Sequence, residues 1–88
     1  MSMDRHRGHE IPSEWRIVPG QTKIKVDGVV FVIDNFAIQG KGRVHLMCHT
    51  VPDGIPNTHA FCLPYSKVEQ LFLLHRLTHQ YTTYERLG

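Results

Sequence analysis

The chain has 88 residues, a formal charge of +2 with histidine neutral, and 41% hydrophobic residues. That length holds one domain with a small core, of the size that a structural metal or an oligomeric partner often supplements. The apolar content excludes a disordered chain, and the weak positive charge permits nucleic acid as a partner without supplying the dense basic patch of a dedicated binder. No apolar run reaches the roughly 18–20 residues that a membrane span needs, and MSMDRHRGHE at the start has no signal-peptide h-region. With only two cysteines, the chain reads as a soluble protein of a reducing, intracellular compartment, nuclear or cytoplasmic.

Residues 1–14 are polar, charged and unpatterned, and read as a mobile arm; 15–88 form a single small domain. Trp15 and Ile17 begin its packing, and Pro19-Gly20 marks a turn. Thr22–Val26 alternates strictly and meets Asp27-Gly28, a strong two-residue hairpin signal, before Val29–Ile33 returns as a second strand. This register sets Val26 opposite Val29 and Ile24 opposite Phe31, with Ile24, Val26, Val29, Phe31 and Ile33 on one face and Lys23 and Lys25 on the other. Asp34-Asn35 reads as a turn or bulge, Phe36–Ile38 as extended, and Gln39–Gly42 as a hairpin tip. Arg43–Thr50 is a third strand, with Val44, Leu46 and Cys48 facing one way and His45, Met47 and His49 the other. After the loop at 51–58, His59–Leu63 forms a fourth strand that Pro64 ends. Ser66 and Glu69 have the spacing of a capping box, opening a helix to about Thr82 or Tyr84. On that helix Val68, Leu71, Leu74, Leu77 and Tyr81 make a broad apolar arc. The expected fold is α+β: a small antiparallel four-stranded β-meander followed by one C-terminal α-helix.

Cys48, Cys62, His75 and His79 carry the chemistry of a tetrahedral zinc site. A hairpin symmetric about its loop sets Cys48 opposite Cys62, with Cβ atoms about 4.5–5.5 Å apart. That separation suits two thiolates on zinc and also a disulfide. His75 and His79, one helical turn apart, complete the set. An ordinary core reading stands beside these, since buried cysteine is a normal small core residue. His45 and His49 are secondary ligands on the opposite strand face, and His6, His9 and His59 read as surface residues.

Lys23–Phe31, His45-Leu46-Met47-Cys48, His59-Ala60-Phe61-Cys62 and the closing histidine pair resemble a FLYWCH-type zinc finger, of the group with WRKY- and GCM-like DNA-binding folds. The resemblance spans about residues 22–79. It implies Cys48, Cys62, His75 and His79 as zinc ligands, and Lys23, Lys25, Lys41 and Arg43 as a basic DNA-binding surface.

Two functional expectations follow. The first is a binding module, zinc-stabilised, that contacts nucleic acid through the basic hairpin. The second is a metal-free protein-interaction or homodimerisation module using the helix, because Leu73, Leu74, Leu77 and Tyr81 cannot all face four strands. Catalysis is not expected, since nothing supplies an orienting group or oxyanion site for Cys48 and His75 at a recognisable spacing; neither is a membrane or small-molecule partner.

Overall fold

A computed structural model describes residues 11–40, 42–50 and 58–88. They contain six strands, β1 (Lys23–Val26), β2 (Val29–Gln39), β3 (Arg43–Thr50), β4 (Thr58–Pro64), β5 (Arg76–His79) and β6 (Thr82–Leu87), and one helix, α1 (Tyr65–Leu74). A 3-10 turn, Ser13–Trp15, precedes them. All six strands join one antiparallel sheet in the order β4-β3-β2-β1-β6-β5. Of the expected arm at residues 1–14 and the expected loop at 51–58, residues 1–10 and 51–57 lie outside the described residues, whereas Ile11 packs on the core. No described helix is long and apolar enough to cross a membrane.

The four-stranded meander with a terminal helix is therefore corrected to six strands with the helix inserted between the fourth and fifth. The helix ends at Leu74, not near Tyr84. His75 takes a left-handed conformation (φ 67°, ψ 9°), which stops the helical ladder. Beyond it, RLTH and TTYERL pair as a hairpin, in keeping with their threonines and tyrosine, which favour strands. The helix also begins two residues earlier than the capping box predicts, which makes Ser66 the N-cap. Pro64 occupies the N-cap, and no side chain caps the first turn.

The first hairpin forms as its sequence dictates. Val26 pairs with Val29 and Ile24 with Phe31, and Asp27 and Gly28 both take positive φ (49° and 90°). Asp27 also binds the neighbouring hairpin: its Oδ1 accepts from Thr83 N at 2.9 Å, and its own N–H donates to Thr83 O at 2.9 Å. In β2 a bulge falls between Ile33 and Asn35. The extra residue shifts the alternation by one, so Ile33 before it and Phe36 and Ile38 after it all pair with inward residues of β3: Cys48, Leu46 and Val44.

The sheet curls tightly. In a flat sheet β4 and β6 lie four strand spacings apart, roughly 19 Å. Yet the Phe61 and Tyr84 rings sit 6.0 Å apart at 90°, and Phe61 meets Phe31 of β2 at 5.1 Å and 84°. The concave face thus closes on an aromatic centre. Val68, Leu71 and Phe72 of α1 extend that core, and Trp15, fully buried, stacks on Phe72 at 6.0 Å and meets the tilted Tyr65 ring at 5.0 Å.

Arg86 ties three segments together. Its guanidinium donates to the carbonyls of Trp15, Arg16 (2.8 Å) and Phe72 (3.5 Å), and lies 5.3 Å from the Phe72 ring centre. Phe72 is in the last turn of α1, where carbonyls lack helical partners and a cation is favoured. Burial, and secondarily the nearby Arg16 charge, lower the Arg86 pKa.

Candidate functional site

The strand register decides where the sulfur and imidazole groups go. In β3–β4, Cys48 pairs with His59 and Cys62 with His45, a register offset by three residues from the symmetric hairpin that would face the two cysteines. An odd offset puts them on opposite faces of the sheet. Cys48 is in the core with no exposed surface, and Cys62 is exposed on the outer face; both are free thiols. His75 is the left-handed residue after α1, and His79 ends β5, so the pair does not share a helix face. Among the described residues no group of three or more His, Cys, Asp or Glu side chains converges as a metal site would. The structure does not bring the four residues of the zinc expectation to one point.

Each histidine has its own surroundings. His49 Nδ1 contacts both oxygens of Asp34, the residue in the bulge, at 2.7 and 2.9 Å. His59 packs edge-on to Phe31 at 5.0 Å, and its Nε2 is buried without a hydrogen-bond partner. His45 Nε2 lies 3.3 Å from Cys62 Sγ.

The basic residues divide. Lys23 and Lys25 share the outer face of β1, as their alternation dictates. Lys25 stands directly opposite Glu85 of β6, which in turn faces Arg76 of β5. Arg43 is at the far end of β3, about 20 Å along the strands from the Lys23 row at ~3.3 Å per residue. Its Nε and Nη2 are turned onto Cys62 Sγ (3.4 Å) and O (3.2 Å). Lys41 lies outside the described residues.

The apolar interface residues fall along one edge of the sheet. Leu73 and Leu74 close α1 with 43% and 69% of their surface exposed, and Tyr81, in the β5–β6 turn, is 98% exposed. Leu77 is instead a core residue at 2%, because it belongs to an inward-facing strand position opposite Tyr84. Between the leucines and Tyr81 runs β5, the terminal strand of the sheet. Arg86 N donates to His75 O at 3.0 Å, so antiparallel alternation leaves the amides and carbonyls of Arg76 and Thr78 directed away from β6. Among the described residues no strand pairs with that side. The Gln80-Tyr81 turn holds both residues at positive φ (52° and 69°), a conformation that costs a non-glycine residue roughly 1–2 kcal/mol.

The helical spacing of Leu71, Leu74 and Leu77 hides the edge strand in the sequence. The threonines at 78, 82 and 83 were the available signal. The Arg43–His45–Cys62 cluster was also legible in principle: with Phe61 and Leu63 facing inward, Cys62 must face outward, toward the face that carries Arg43 and His45.

No protein-family model, curated protein or solved structure matches the chain.

Proposed function

We propose that this chain is a protein-interaction module that self-associates through the free edge of β5. One observation carries the reading: an unpaired strand edge is flanked at its start by exposed Leu73 and Leu74 and at its end by exposed Tyr81. Such an edge is a template for strand addition, with main-chain bonds supplying affinity and flanking side chains supplying selectivity.

The occupant is a second copy because the edge is self-complementary. An antiparallel β5 pair with its two-fold axis at Leu77 sets Arg76 of one copy opposite Thr78 of the other, which joins the residues whose amides point outward. The same register brings the α1 end of one copy, with Leu73, toward the Gln80-Tyr81 turn of the other, and sets no two formal charges opposite each other. The other sheet edge, β4, ends in Pro64, which has no amide to donate, and bears no large exposed apolar residue among the described ones.

Sedimentation velocity across a concentration series tests this. The wild type is expected to dimerise, and Thr78→Pro to remain monomeric with its circular dichroism intact, because the Thr78 amide makes no bond within the sheet. Leu73→Asp weakens the dimer by the loss of its contact with Tyr81. A wild type that sediments as a monomer at the highest attainable concentration sinks the reading.

A further inference from the structure

The outer face of β3–β4 holds a cluster that the β5 edge does not use. The register sets His45 directly opposite Cys62, and their Nε2 and Sγ atoms are 3.3 Å apart. Arg43 approaches the same sulfur from two pairs along, on the same face, with Nε at 3.4 Å, and is anchored by Nη2 donating to Cys62 O at 3.2 Å. A thiolate is the nucleophilic form of cysteine, and an adjacent base together with a fixed cation is the setting that generates and holds one. The sulfur is also accessible, since Cys62 is exposed on a terminal strand. Among the described residues no carboxylate pairs with Arg43, so its charge is left for an incoming anion.

We infer that Cys62 is a nucleophilic modification site, presented by His45 and Arg43 to small anionic disulfides of the glutathione class. His45 Nε2, in the tautomer protonated at Nδ1, takes the thiol proton. Cys62 Sγ attacks one sulfur of the disulfide, forming a new S–S bond as the old one breaks. The departing thiolate recovers the proton from the imidazolium. Cys62 is oxidised to the mixed disulfide and the departing half is reduced to a thiol, so thiol plus disulfide gives mixed disulfide plus thiol. Cys48 cannot resolve the product, because it lies buried on the opposite face of the sheet. The adduct therefore persists until a second thiol arrives from solution.

The test uses the reduced full chain near neutral pH, incubated separately with glutathione disulfide and with neutral 2-hydroxyethyl disulfide, with adducts placed by peptide mass spectrometry. One adduct per chain is expected, at Cys62, with Cys48 unmodified. His45→Gln, which keeps a polar side chain but cannot accept the proton, slows both reactions by about 10²-fold, the low end of what a positioned general base supplies. Arg43→Gln slows the anionic disulfide more than the neutral one. Loss of fold in a variant would announce itself by modification of Cys48. In that event the wild type decides: added salt must slow the anionic disulfide selectively, because screening acts on the Arg43 charge. No adduct at Cys62, equal rates in wild type and folded variants, or equal salt dependence for the two disulfides overturns the inference.

Discussion

Excluding the Cys48 thiol from water, with the Asp34 carboxylate nearby, pushes its pKa from 9.0 up to about 12. The consequence is a stability that depends on alkaline pH. Below pH 9 both folded and unfolded chains hold the proton, and the thiol contributes its full share to stability. As pH rises from 9.0 toward 12 the unfolded chain ionises while the folded chain does not, so stability falls across that window. The shift corresponds to about 4 kcal/mol at its full extent. Tyr84, whose pKa is also raised, chiefly by burial and then by Asp27, adds a loss of the same sign. Cys48→Ala removes the first contribution at a cost of about 1 kcal/mol for the smaller side chain. Urea denaturation at pH 8 and at pH 10.5 or so should accordingly give a smaller decline for Cys48→Ala than for the wild type; parallel declines would contradict the burial argument.

Among the elements, the second hairpin shows how local signals and tertiary context divide the work. Asp27-Gly28 announces its own turn, because glycine reaches positive φ without a Cβ clash. Gln80-Tyr81 makes a turn of the same hand with neither glycine nor asparagine, so nothing in the pair marks it. Leu71, Leu74 and Leu77 recur at helical spacing straight into that hairpin, and the pattern conceals the break at His75. Local chemistry thus makes β1 to β4 readable and misassigns residues 75 to about 84 to the helix. Replacing Gln80-Tyr81 with Asn-Gly should relieve the backbone and stabilise the monomer by about 1–2 kcal/mol, raising its thermal midpoint by roughly 5–10 °C. The same replacement removes the exposed ring proposed to meet Leu73 of a second copy, so the dimer should weaken while the fold strengthens. Calorimetry on dilute protein separates these effects from the sedimentation result. A destabilised monomer would mean that Tyr81 contributes more to its own fold than its 98% exposure allows.

At the scale of the whole molecule, the curl of the sheet explains both the core and the open edge. A sheet of six strands that bends far enough for β4 to reach β6 is close to a barrel, yet its terminal strands β4 and β5 do not pair. The helix that connects them in sequence buries Val68, Leu71 and Phe72 in the core. β5 is left with a side that no described strand pairs. The curl is testable through Phe61 and Tyr84, whose rings touch although three strands separate theirs in the sheet. A double-mutant cycle of Phe61→Leu and Tyr84→Leu, followed by urea denaturation, should return a coupling of about 0.5–1.5 kcal/mol, as edge-to-face aromatic pairs do. Residues ~19 Å apart in a flat sheet would add independently, so a coupling indistinguishable from zero would require the sheet to be flatter and the core to close on the helix alone.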